Sequence, residues 1–199
     1  MGKPSEIRAV LADARNRMGP GQAFDAAMRV LENPRMCRQL VKCLWDEDEG
    51  VAGRAADALE TVAADSPRIV ARWKDALLGL LVEAGPAKLR WHLALIVTGI
   101  KLTRPECRRV YGALQRWLDD KSSIVKTCAM QGLAELTRQD TSLMGEVVDL
   151  LQALSRNGTP AMRARGRVLV EQLEKGKDLT WARGNLRARM ATRLEAARR

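Results

Sequence analysis

Aromatic residues are scarce in this sequence. Phe24, Tyr111 and five tryptophans supply the 4% of 199 residues that carry six-membered or indole rings, while alanine, leucine, arginine and valine dominate. Sheets draw on aromatic and β-branched side chains and helices on alanine, leucine and arginine, so the shortage argues for an all-α chain. Histidine is rarer still, with His92 alone. An HExxH zinc site therefore cannot be built, and Cys37, Cys43, Cys107 and Cys128 contain no CxxC pair from which a zinc finger could start. No metal ligand and no cofactor site is expected, and the cysteines read as reduced, buried thiols. Long apolar runs are also missing: Ala76 to Val82 is far short of a membrane span, and the charged N-terminus MGKPSEIRAVLADARNR has no signal-peptide core. A cytoplasmic protein is the expectation. There is no GxSxG, Walker-type or GxGxxG run and no carboxylate pair in an apolar frame, so no catalytic residue is assigned.

What the chain does have is positive charge, a formal +10, unevenly placed. Residues 1–100 hold 14 basic and 13 acidic side chains, whereas residues 101–199 hold 20 and 11. The basic character belongs to the C-terminal half and points to an anionic partner.

It also has a period. Leu40, Leu77, Leu114 and Leu150 follow one another at spacings of 37, 37 and 36, and Leu44, Leu81, Leu118 and Leu154 repeat them one helical turn later. A second set follows at internal spacings of 4, 4 and 3: Val51, Ala55, Leu59, Val62; Leu89, Leu93, Val97, Ile100; Val125, Ala129, Leu133, Leu136; Met162, Gly166, Val170, Leu173. Pro67 and Pro105 stand near the starts of first helices, and Pro86 and Pro160 near the starts of second helices, where a missing N–H costs nothing. The pattern gives one domain over residues 1–199: an N-terminal cap pair in 1–33, four helix pairs in 34–174, and a basic C-terminal helix in 175–199. A single pair cannot bury both of its leucine stripes, so neighbouring pairs must stack.

Two helices per unit of about 37 residues resemble the HEAT repeat. The likeness is sharpest in the second helices, where Leu89-Arg90, Val125-Lys126 and Met162-Arg163 match an apolar-then-basic opening followed by small residues and a closing aliphatic. The first unit departs with Ala52 at the basic position, and the fourth with Gly166-Arg167 at small apolar positions. The resemblance implies a right-handed α-solenoid of about four to five HEAT-like helix pairs, with first helices outside and second helices lining a concave face.

On that face the sequence pattern puts Gly53, Asp57 and Glu60, then Trp91, Leu95 and Thr98, then Thr127, Gln131 and Ala134 opposite the core quartets. Trp91 and Leu95 are anomalous there: either they mark a contact patch or their helix is buried on more sides than one. Beside them stacking creates two rows, Arg90, Lys126 and Arg163, and Arg54, His92, Cys128 and Arg165. Such rows suit an acidic peptide, with Trp91 as anchor, although the first row equally suits bracing of acidic turns at Asp48 or Asp120. The candidate partner-binding residues are thus Trp91, Leu95, Arg54, Arg90, His92, Lys126, Arg163 and Arg165, and the expected partner is a protein.

The C-terminal arginines Arg167, Arg183, Arg187, Arg189 and Arg193 are candidates for anion or nucleic-acid contact, since Arg183/Arg187 and Arg189/Arg193 are like-charged pairs one turn apart that repel without a counter-charge. They equally serve to keep a solenoid end soluble. Architecture, size and charge are also similar to the HEAT-like alkylpurine DNA glycosylases, which implies DNA binding in a basic groove. That resemblance lacks its catalytic carboxylate, because Ala87 and Leu95 occupy the positions one turn from Trp91. The reading is therefore a non-enzymatic scaffold that recruits a macromolecule through its second helices, with nucleic-acid binding as the alternative.

Overall fold

The computed structural model describes residues 5–13, 22–83, 85–177 and 179, and every regular element among them is helical. Residues up to Arg72 belong to one compact unit and Trp73–Leu179 form a second.

In the first unit run α1 (Glu6–Ala12), α2 (Gln22–Glu32), α3 (Cys37–Lys42), α4 (Glu49–Asp65) and α5 (Pro67–Ala71), with tight 3-10 turns at Pro34–Met36 and Cys43–Trp45. The centre is α4, which packs on the four other helices. Its stripe of Val51, Ala55, Leu59 and Val62 is fully buried, together with Ile7, Leu11, Val30 and Leu40. The acidic run after Trp45 is a built turn. Asp48 caps α4 by accepting from the Gly50 and Val51 amides at 2.7 and 3.2 Å, and Asp46 takes Arg8 bidentately at 2.6 and 3.0 Å, tying α1 to the turn. The Gly19-Pro20-Gly21 breaker lies outside the described residues.

The second unit contains α6 (Lys74–Glu83), α7 (Ala87–Gly99), α8 (Arg104–Trp117), α9 (Ser123–Leu136), α10 (Met144–Asn157) and α11 (Pro160–Glu174). α7 lies along α9 and α9 along α11, while α8 and α10 pack against α9 from the first-helix side. With neighbours on so many sides, ten of the 14 residues of α9 are buried. Gly132 is the point of closest approach: a Cβ there would stand 2.8 Å from Leu114 Cδ1 and 3.1 Å from the Ala94 carbonyl oxygen. Leu114, Leu93, Val97, Leu133 and Leu136 fill the core around it.

Polar side chains close the links. Glu106 accepts the Thr103 amide at 2.6 Å at the start of α8 and holds Lys74 at 2.7 Å. Ser122, not the aspartates before it, is the N-cap of α9, and Asp120 accepts the Ser122 amide at 2.8 Å. Gln139 stitches the α7–α8 link, donating to the Thr98 and Ile100 carbonyls at 2.9 and 3.1 Å and accepting the Leu102 amide at 2.8 Å. All four cysteines are free and buried.

Candidate functional site

The second-helix face carries most of the residues singled out from the sequence, and its geometry differs from the one a single helical wheel gives. Thr98, Gln131 and Ala134 are not exposed but 3%, 1% and 0% accessible, and Gly53 is buried in the first unit. The wheel treats each helix alone. In the folded unit α9 is flanked by α7 and α11, so its middle is covered from both sides.

Trp91 and Leu95, on α7, are both half-buried. Trp91 stands edge-to-face on His92, with ring centroids 5.3 Å apart and planes at 85°, a favourable aromatic geometry. His92 is itself buried. The indole Nε1 of Trp91 is buried yet meets no acceptor among the described residues. A buried donor left without an acceptor costs about 1–3 kcal/mol, so this N–H is poised to accept a carbonyl or carboxylate brought to it.

The basic row resolves into separate roles. Arg90 is a brace: its Nε donates to Asp120 Oδ2 at 2.7 Å, and the guanidinium also donates to the Gly85 carbonyl. Burial pushes the Asp120 carboxyl up, but the Ser122 amide and Arg90 pull it further down, so it stays charged. Lys126 is half-buried. Arg163 is exposed and donates to its own turn at the Gly158 carbonyl, 2.9 Å away. Arg167 is exposed on α11. Arg54 belongs to the first unit, where its Nε donates to the Leu11 carbonyl at 2.6 Å and satisfies the C-terminal end of α1.

Arg165 leads to a feature the wheel does not reveal. Half-buried on α11, it donates to Gln131 Oε1, and burial pulls its guanidinium down to about 10. The Gln131 amide donates in turn to Glu135 Oε1 at 3.2 Å and to the main-chain carbonyl of Leu179 at 2.9 Å. Glu135 faces Arg138 at 3.7 Å. Leu179, 1% accessible, is thus held on α9 by a side chain 48 residues earlier. The signal for this cluster is the Gln131/Glu135 pair, one turn apart in a helix otherwise lined with apolar residues. Cys128, in the same row as Arg165, is buried.

Arg183, Arg187, Arg189 and Arg193 lie outside the described residues, as does the expected terminal helix beyond Leu179. Among the described residues no group of three or more His, Cys, Asp or Glu side chains is placed to hold a metal ion. No helix there is long and apolar enough to cross a membrane.

No protein-family model and no curated protein matches the chain. Solved structures do. A crystal structure of an engineered protein from a structural genomics consortium aligns with TM-score 0.59 at 17% identity, over 86% of this chain and 79% of that one. A designed armadillo repeat protein aligns with TM-score 0.55, also at 17% identity, over 84% and 80%. Together with the helical pairs, these likenesses show an all-α, HEAT/armadillo-like helical-repeat fold.

Proposed function

We propose that this protein is a binding scaffold that recruits a macromolecular partner through the second-helix face of its second unit. The partner segment is a stretch of protein that brings an apolar side chain to Leu95 and an acceptor to Trp91. The observation that carries this reading is the buried Trp91 N–H without an acceptor, set beside half-buried Leu95 on the same helix. Hot spots favour such a site: an indole already partly desolvated, with a directional donor and aliphatic surface one turn away. Lys126 and Arg163 on α9 and α11 supply the cationic edge that favours an acidic segment, whereas Arg90 and Arg165 serve the fold through Asp120 and Gln131. The nucleic-acid alternative is not favoured, since two cations of the face already have protein acceptors and the arginines of residues 183–193 lie outside the described residues.

The test is selection from a displayed library of random peptides on the native chain and on a Trp91→Ala variant. Selected peptides should be enriched in acidic residues around an apolar anchor, and Trp91→Ala should weaken them about tenfold, roughly 1.4 kcal/mol. Peptides that bind both chains equally would overturn the assignment of this face.

A further inference from the structure

The path of the chain after α11 adds a second occupant for the same face. α11 ends at Glu174, and Gly176 takes φ +58, a left-handed conformation suited to glycine that turns the chain back. Lys177 closes the turn by donating its amide to the Gln172 carbonyl at 2.8 Å. Leu179 then lies buried on α9, its carbonyl fixed by Gln131. The chain therefore crosses from α11 onto its neighbour, and α7 is the next helix in that direction. Leu95 occupies on α7 the position that Gln131 occupies on α9, one repeat of 36 residues earlier. Adjacent helix axes are about 8–10 Å apart, and two residues of extended chain reach about 7 Å. Two residues beyond Leu179 stands Trp181, a large ring in a stretch otherwise rich in arginine.

We infer that the chain's own C-terminal segment, beginning at Thr180, docks across α7 with Trp181 against Leu95 and Trp91. The half-buried apolar pair has a named occupant, and the segment brings main-chain carbonyls past the indole N–H that needs one. Beyond Trp181 the segment carries six arginines and a single glutamate, Glu195. An acidic partner thus meets these arginines as it displaces the segment, so the chain's end acts as a competitor that the right partner is equipped to remove. The competition rests on the binding reading given above; the docking itself does not.

The docking is tested on the full chain without any partner. Cysteines are introduced as Leu95→Cys with Trp181→Cys, and in a second variant as Gly145→Cys with Trp181→Cys, Gly145 being exposed on α10 in open surroundings. A short bis-maleimide is applied, and cross-linked peptides are quantified by mass spectrometry. The four native thiols are buried. The 95/181 link should exceed the 145/181 link about fivefold, reflecting its higher effective concentration; equal yields would overturn the docking. Hydroxyl-radical footprinting of the single variant Trp181→Ala gives an independent reading: oxidation of Trp91 should rise several-fold while Trp45 is unchanged, and an unchanged Trp91 would likewise overturn it. A chain that selects Trp91-dependent peptides but shows no 95/181 preference loses only this inference. The preference without such peptides leaves the segment as a fixed cover and removes the binding reading instead.

Discussion

Arg90 Nε lies 2.7 Å from Asp120 Oδ2, and this pair joins the start of α7 to the turn that opens α9. Their side chains are 19% and 8% accessible. The basic residue that opens a second helix is here a strut between consecutive helix pairs, which is why it cannot also be counted as a cation on offer to a ligand. Replacing either partner should cost about 1.5–3 kcal/mol, the range for hydrogen bonds to charged groups. Urea unfolding of Arg90→Ala and Asp120→Asn measures it; a loss near zero would show the pair to be ornamental.

Gln131 is expected to behave as a hub. Gln131→Leu removes the acceptor of Arg165 and the donor to the Leu179 carbonyl together, at about 1–3 kcal/mol. Adding Arg165→Leu should recover part of that loss, because an apolar pair replaces a broken polar one. A double-mutant cycle by chemical denaturation gives the coupling; simple additivity would contradict the network.

Two glycines should respond in opposite directions. At Gly132 an added Cβ meets Leu114 at 2.8 Å and the Ala94 carbonyl at 3.1 Å, so Gly132→Val should destabilise by about 1–3 kcal/mol through overpacking. Gly112, inside α8, has nothing within 4 Å of that position. Gly112→Ala should therefore stabilise by about 0.5–1 kcal/mol, the ordinary helix gain. Thermal melts of the two variants check the sign of each.

Acid sensitivity follows from Asp46, Glu106 and Asp120. The Arg8 hydrogen bond holds Asp46 below the usual carboxylate range against the effect of burial, and Lys74 does the same for Glu106. A carboxyl lowered in the folded state contributes fully above its unfolded value, about 4, and loses that contribution as pH falls through the folded value. Melting temperature should therefore drop below about pH 4, and less steeply in Asp46→Asn. An identical slope in that variant would show that its pair with Arg8 contributes nothing.

The four thiols should resist alkylation in the native state. Burial pushes Cys43 up to about 11 and raises Cys107 as well, which suppresses the reactive thiolate. Thiol titration with and without denaturant should show all four reacting only after unfolding.

The fold was legible because the leucine period reports burial directly. Leu40, Leu77 and Leu114 are fully buried at their equivalent positions, while Leu150 is half-buried, since no further helix pair follows it among the described residues. Val51 to Val62, Leu89 to Ile100 and Val125 to Leu136 are buried in the expected 4, 4, 3 pattern, and Val170 and Leu173 are half-buried for the same reason as Leu150. The face opposite was less legible, because its exposure depends on neighbouring helices that one wheel does not contain. Gln131 reads as solvent-facing in isolation and becomes the most polar point of a buried seam once α11 and Leu179 lie over it. The bracing role of Arg90 was readable from an acidic turn one repeat away; which cations stay at the edge was not, since that depends on the acceptor each side chain finds.

Gln139 reaches back 37 to 41 residues to hold the Leu102 amide and the Thr98 and Ile100 carbonyls. During synthesis from the N-terminus those three groups have only water to bond until Gln139 leaves the ribosome. The second helix pair therefore acquires its final hinge from the third, and a nascent chain halted short of that glutamine would carry an unfinished joint.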